Sequence, residues 1–187
     1  MSSERGRWLN RWSALAALLM VGYAGLLWLA AHPDVSPAYR AYYIDRTSDM
    51  PPSWDLLRRP PVLEPGASYA FDAPQILRAG WSTPEPAHVW TLGPYADLLV
   101  SLPEGLSPGA QLVLEGMVLG GAQQVVLTAE GRSRRHDLRA GDPLVLTLQE
   151  AAPGPLRLHL ALPQAASPGP QDPRVLGFAL QRLRLVP

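Results

Sequence analysis

Every one of the chain's 21 prolines lies at or beyond Pro33. Proline has no N–H to donate within a helix, and its ring crowds the preceding turn. The 187 residues therefore fall into two kinds of material. The first 32 residues are free to form one long helix. The remainder, at about twice the usual proline frequency of ~5%, must use short elements.

Within the proline-free part, Trp12 to Ala31 is a run of twenty residues without a charge. At about 1.5 Å per residue such a helix is about 30 Å long, the thickness of a bilayer's hydrocarbon core. Arg5, Arg7 and Arg11 precede the run, and Trp8, Trp12 and Trp28 lie near its two ends. Tryptophan favours the membrane interface, and basic residues stay on the cytoplasmic side. The expectation is a single-pass anchor over 12–31. Residues 1–11 would be cytoplasmic and the rest outside. The alternative is a cleaved signal peptide, whose apolar part is usually about 7–15 residues and ends in an A-x-A-like site. Here the run is longer, and the end reads Trp28-Leu29-Ala30-Ala31-His32, with bulky residues at the −3 position for cleavage after either alanine. Both readings export the remainder of the chain.

Residues 32–65 read as a proline-rich juxtamembrane stalk. Ser36-Pro37 has the chemistry of a helix cap followed by a first-turn proline. Tyr39 and Tyr43 would then share a face, and Tyr42 would pair with Arg46. The segment reads as a juxtamembrane turn with its tyrosines at the headgroup level, or as a docking site for a partner membrane protein. Pro51-Pro52 and Pro60-Pro61 forbid a continuous helix and suggest an extended spacer. Trp54, Leu56 and Leu57 are expected to pack on the domain that follows.

That domain, 66–187, carries the period-2 alternation of half-buried strands. Leu156, Leu158, Leu160 and Leu162 alternate with Arg157, His159 and Ala161. Leu144, Leu146 and Leu148 alternate with Val145, Thr147 and Gln149, and Leu183 and Leu185 with Arg182 and Arg184. Further strands are expected at Ser68–Asp72, Gln75–Gly80, His88–Thr91, Ala96–Leu102, Gln111–Leu119, Gln123–Ala129 and Phe178–Val186. Turn residues separate them, as in Ser107-Pro108-Gly109, Gly120-Gly121 and Ala140-Gly141-Asp142-Pro143. No proline occurs between Pro108 and Pro143, so Gln111–Ala129 is expected at the middle of the sheets. The fold class is all-β, an antiparallel two-sheet jelly-roll sandwich of about eight to ten strands preceded by one transmembrane helix.

Sixteen arginines balance sixteen acidic residues, and there is no lysine and no cysteine. Zero net charge argues against nucleic acid as a partner. The absence of cysteine removes disulfides and thiolate metal sites. There is no Gly-x-Ser-x-Gly elbow, no P-loop, no Gly-x-Gly-x-x-Gly and no His-Glu-x-x-His, and hence no assigned catalytic residue, cofactor or metal. A Ser/His/Asp triad or a carboxylate pair assembled from distant strands would escape such a search, because geometry defines it.

The densest chemistry lies in Gly80–Gly93, fourteen residues holding Trp81, Glu85, His88, Trp90, Pro84 and Pro86. Gly80-Trp81-Ser82-x-Pro84-Glu85, then Val89-Trp90-Thr91-x-Gly93 and a strand with Ala96 and Leu98, resembles a pattern in extracytoplasmic β-sandwich domains. Those domains accompany bacterial membrane glycosyltransferases and phosphoglycerol-type transferases. Ser167-Pro168 and Asp172-Pro173-Arg174-x-Leu176-Gly177 resemble the closing motif of the same group. The resemblance implies a jelly-roll, carbohydrate-binding-like module of an envelope polysaccharide system, on the periplasmic side of a bacterial inner membrane and without a catalytic residue. Such modules usually sit beside a many-pass transferase. A chain with one apolar helix would instead meet its glycosyltransferase or polysaccharide-assembly partner as a separate chain.

Trp81, Glu85, His88, Trp90, Asp172 and Arg174 are the candidate ligand-binding residues. An indole stacks on the apolar face of a sugar ring, and a neighbouring carboxylate accepts its hydroxyls. The competing role for either indole is filling the core. A bidentate Glu85–Arg174 pair would tie the first loop to the last, leaving Asp172 as a loop cap or a sugar-hydroxyl acceptor. Glu85-x-x-His88 has a metal-motif spacing, but that motif needs a helix, which Pro84 and Pro86 oppose. Arg132, Arg134, Arg135, His136 and Arg139 read as a solvated hairpin edge that guards against edge pairing, or as a contact for an anionic polymer or headgroup.

Three functions remain open on the sequence: a non-catalytic glycan-binding accessory module, a structural subunit that docks a membrane protein without sugar, and a glycan-modifying hydrolase. All share one topology. A reporter enzyme that works only outside the cytoplasm is expected to be active when fused after Pro187. Activity confined to a cytoplasmic reporter would reverse the assignment.

Overall fold

Residues 2–32, 34–35, 39–44, 59–71, 75–150 and 152–187 are described by the computed structural model. The chain divides into a helical unit ending at Val35 and a second unit beginning at Ser36. In the first, α1 (Ser2–Ala31) is continuous. From Trp12 to His32 every side chain is exposed, and Trp12–Ala31 is long and apolar enough to cross a membrane. His32 closes the helix: its Nδ1 lies 2.9 Å from Trp28 O, and the two rings stack at 4.9 Å.

The second unit opens with a π-helical turn, Arg40–Ile44. The Tyr39 and Tyr43 rings meet at 4.6 Å, as the expected helical spacing required. The Tyr42–Arg46 pairing and the packing of Trp54, Leu56 and Leu57 lie outside the described side chains.

The sandwich is built from β1 (Ser68–Ala70), β2 (Val89–Leu92), β3 (Tyr95–Leu102), β4 (Gln111–Val118), β5 (Ala122–Ala129), β6 (Arg132–Arg139), β7 (Leu144–Thr147), β8 (Gly154–Ala161) and β9 (Leu176–Val186). One sheet has the order β1-β9-β4-β7, with β2 also on β9; the other runs β3-β8-β5-β6. All these ladders are antiparallel. The fold is thus the all-β, two-sheet jelly-roll sandwich that the alternation demanded, preceded by one apolar helix. The proline-free stretch supplies an inner strand to each sheet, β4 and β5, and the Gly120-Gly121 turn carries the chain between them.

The leucine rows face one another between the sheets. Leu98, Leu158, Leu160 and Leu127 of one sheet and Leu112, Leu114, Leu183 and Leu185 of the other are fully buried. At ~25 cal/mol per Å² of apolar area, this core holds the domain without disulfides. On β9 the inward residues change phase, from Phe178 and Leu180 to Leu183 and Leu185. A β-bulge opposite Glu115/Gly116 absorbs the extra residue. Glycine is required there, because a Cβ on Gly116 would come within 2.0 Å of Ala179 O.

Two expectations are corrected. Gln75–Gly80 is not a ladder strand but an irregular run bonded to β3 through Arg78 N–Asp97 O at 3.0 Å, Asp97 N–Ala79 O at 2.9 Å and Leu99 N–Ile76 O at 2.9 Å. The domain also starts before residue 66. Leu63 is fully buried, and Leu63 N–Ser101 O (2.8 Å) and Ser101 N–Pro61 O (2.9 Å) attach this segment to β3. A proline-rich stretch can line an edge strand even though it cannot enter the middle of a sheet.

Gly80 ends the irregular run with φ +80°, and a Cβ there would stand 2.1 Å from Tyr95 O. Gly66 has a similar φ, +81°, with nothing within 4 Å of its Cβ position. Gly80→Ala is therefore expected to cost about 2–4 kcal/mol, strain plus clash, against about 1 kcal/mol for Gly66→Ala. Thermal unfolding of the two variants checks the difference; equal losses would contradict the close approach.

Candidate functional site

Five of the six candidate residues form one chain of contacts at a corner of the sandwich. Arg174 is its centre. Its Nε and Nη2 donate to the Asp172 carboxylate at 3.0 and 2.7 Å, and its Nη1 donates to Glu85 Oε1 at 3.0 Å. The tie between the first and last loops is present, but the bidentate grip falls on Asp172, with a single bond to Glu85. The reason is local. Pro173 turns the chain so that Asp172 Oδ1 also accepts the Arg174 backbone N–H at 3.0 Å. This is the Asx-type turn that aspartate favours. The Ser167 hydroxyl donates to Asp172 O at 2.6 Å and braces the same loop. Arg174 holds the Asp172 carboxyl below the usual carboxylate range, and Asp172, then Glu85, raise the guanidinium's own affinity for its proton.

Glu85 sits between Pro84 and Pro86 in a turn closed by Glu85 N–His88 O at 2.9 Å. Its Oε2 lies 3.2 Å from His88 Nε2, without the alignment of a hydrogen bond, and both ring nitrogens of His88 are enclosed without a hydrogen-bond partner. His88 meets Trp90 edge-on at 5.4 Å. The imidazole is thus a prop between Glu85 and the Trp90 indole, and its nitrogens offer nothing to a ligand. Among the described residues no group of three or more potential ligands could hold a metal ion.

The two tryptophans part company. Trp81 is fully buried in the core, with its indole N–H donated to Asp97 O at 2.8 Å. It presents no stacking face, so its place among the ligand-binding candidates is corrected. Trp90 follows the inward-facing Val89 on β2 and is half-buried. Strand alternation turns it to the outer face of the five-stranded sheet. Ala179 and Met117 stand in the same cross-strand row.

A second cluster escaped the sequence reading. Asp97 on β3, flanked by Ala96 and Leu98, has a side chain only 4% exposed and contacts two cationic groups of β8. His159 Nδ1 lies 2.8 Å from Oδ1, and Arg157 Nη1 donates to Oδ2 at 3.3 Å. Tyr95 stacks on His159 at 6.1 Å. The partners are 60 and 62 residues from Asp97, so only strand register reveals them. The hydrogen bond to Asp97 raises the His159 pKa most; burial opposes it, the Asp97 charge adds to it and Arg157 subtracts from it.

The basic cluster forms β6, the outer strand of the four-stranded sheet. It is an edge, as its composition implied.

No family model and no curated protein matches the chain. Among solved structures, a family 35 carbohydrate-binding module from Clostridium thermocellum is similar at 9% identity and a TM-score of 0.43, over 64% of this chain and 98% of that one. The CBM36-1 domain of a multidomain xylanase from the hindgut metagenome of Trinervitermes trinervoides is similar at 12% identity and a TM-score of 0.36, over 67% and 90% of the two chains. The acetyl xylan esterase Est2A of the rumen bacterium Butyrivibrio proteoclasticus is similar at 16% identity and a TM-score of 0.43, over 65% of this chain. This chain spans about a third of that esterase's length, 32%.

The folded chain holds the His159 proton more tightly than an unfolded one does. The His159–Asp97 contact therefore stabilises fully below the ordinary histidine range and fades as pH rises through the raised value. NMR titration of His159 is expected to give a midpoint above that of a free histidine, and Asp97→Asn is expected to lower it. An unmoved midpoint in Asp97→Asn would show that Asp97 is not the cause.

Proposed function

We propose that the chain is a membrane-anchored, non-catalytic carbohydrate-binding-like module serving envelope polysaccharide or glycolipid assembly. In this reading the sandwich faces the periplasm, residues 12–31 hold it in the inner membrane, and a membrane glycosyltransferase or polysaccharide-assembly protein is its partner. One observation carries the sugar-binding part. Trp90 turns its indole to the outer face of the sheet, next to the Glu85–Arg174–Asp172 network. A partly exposed ring supplies a flat apolar surface at little entropic cost, and the adjacent charged groups give fixed donors and acceptors for hydroxyls.

Docking without sugar predicts a broad exposed apolar patch. Among the described residues of the second unit, the exposed large apolar side chains are Tyr39, Tyr43 and Ile44 ahead of the sandwich, and the single valines Val62, Val175 and Val186. On the sandwich itself, three single valines favour a glycan over a bare protein-docking face.

The test is binding of envelope-derived oligosaccharides to the full chain in lipid nanodiscs. Trp90→Ala is expected to weaken binding about thirty-fold, the effect of losing a central aromatic contact of about 2 kcal/mol. Arg174→Gln is expected to weaken it as well, with the fold retained by circular dichroism. A wild-type chain that binds no oligosaccharide, or a Trp90→Ala chain that binds as well as wild type, overturns the proposal.

A further inference from the structure

β5 and β8 pair only where Val126–Thr128 meet 159–161. Beyond Thr128 and His159 the strands diverge, β8 staying with β3 back to Gly154 and β5 with β6 out to Ala129. The gap opens a cavity of about 470 Å³ lined by Arg157, His159, Thr128 and Glu130, with Pro153 and Pro155 among its apolar walls. This is within the usual size range of small-ligand pockets, about 300–1,000 Å³.

The cavity's charge has an unusual arrangement. Asp97 stands on the β3 side of β8, outside the cavity's lining, its side chain 4% exposed, whereas Arg157 and His159 are 50% and 41% exposed. The carboxylate is thus shielded from a ligand, while both cationic groups reach solvent. It also fixes their orientation, because a side chain anchored at one end has less freedom to lose on binding. The hydrogen bond from Nδ1 to Asp97 leaves Nε2 of the protonated ring as an outward donor. Proline rings and the Thr128 hydroxyl suit the carbon face and the hydroxyls of a pyranose.

We propose that this splay between β5 and β8 is a second binding site, for a sugar that carries a carboxylate, with Arg157 and His159, both anchored on buried Asp97 of the neighbouring strand, gripping the carboxylate. The ligand class is a uronic acid, free or within a polymer. Glu130 on the rim repels an anion and so sets the carboxylate at the Arg157–His159 end. The site lies on the four-stranded sheet and shares no residue with the Trp90 corner on the five-stranded sheet, so either can fail without the other.

The test is isothermal titration of the full chain in neutral-lipid nanodiscs with glucuronate, galacturonate, glucose, acetate and inorganic phosphate. One of the two uronates is expected to bind at least about ten-fold more tightly than glucose, acetate or phosphate, the loss expected when one charge-assisted contact or the sugar ring is missing. Arg157→Gln and His159→Gln are each expected to lose about ten-fold for the uronate, while Trp90→Ala keeps it. Both substituted side chains are half-exposed, and circular dichroism checks the fold. With wild type alone, the uronate is expected to shift the NMR signals of the His159 ring.

Binding is also expected to weaken as pH rises through the His159 titration. The groups facing that ring are Asp97 and Tyr95 from β3, Arg157 from β8, Thr128 from β5 and Glu130 from the β5–β6 turn. Equal affinity for glucose removes the carboxylate, and equal affinity for acetate or phosphate removes the sugar. No uronate binding, pH-independent binding, or full binding by both the Arg157→Gln and the His159→Gln chains overturns the proposal outright.

Discussion

Asp97 holds the sandwich together at the point where its most irregular segment meets its most regular strand. Its backbone N–H bonds to Ala79 O at 2.9 Å, and its carbonyl accepts both Arg78 N at 3.0 Å and the Trp81 indole N–H at 2.8 Å. Because those backbone groups are turned toward residues 78–81, Asp97 faces His159 across β8 as a non-hydrogen-bonded pair. In such pairs the side chains of an antiparallel ladder stand closest. The carboxylate can thus reach two partners on one neighbouring strand. A buried carboxylate deprived of such partners is costly, since removing one side of a buried ion pair exposes the full desolvation penalty of the other. The same residue therefore closes an edge of the sheet, seats Trp81 in the core and aims His159 outward.

The distribution of what could be read beforehand follows from the range of the interactions. Strand positions were legible because alternation is local: a leucine at every second residue declares its own face. Of the corner at Arg174, the turns are local, a proline on each side of Glu85 and one between Asp172 and Arg174; the Glu85–Arg174 tie spans 89 residues and was legible only because each partner stands in one of the two proline-marked motifs. The assignment of the bidentate grip failed on a subtler local effect, the return of the Asp172 carboxylate to its own turn. Trp81 and Trp90 were indistinguishable as sequence, two indoles in one short stretch. Register separates them, since Val89 must face the core and thereby sends Trp90 the other way, while Gly80 turns Trp81 inward. The Asp97 cluster was illegible because nothing near Asp97 differs from an ordinary outward polar residue, and its partners come from the far half of the chain. β6 carried no apolar alternation and showed only as a run of charge.

That run shows how an edge strand can be safe and still close a core. On β6, Arg132, Arg134, Arg135, His136 and Arg139 surround one buried apolar residue, Leu138. An edge presents unpaired backbone groups to any passing strand, and clustered like charge discourages a second copy from joining it. His136 stands two positions from Leu138, hence on the same face of the strand. Burial, then the charge of Arg134, lowers its pKa. A neutral imidazole between the core and a guanidinium avoids placing a second cation against the apolar interior, while the arginines around it are exposed to solvent. The opposite edge of the same sheet is protected differently, by the segments at Pro61–Leu63 and Ile76–Ala79 bonded along β3. Formal neutrality of the whole chain thus conceals a division of labour: one edge is covered by backbone and the other by charge, and both leave the outer faces of the sheets free to carry specific chemistry.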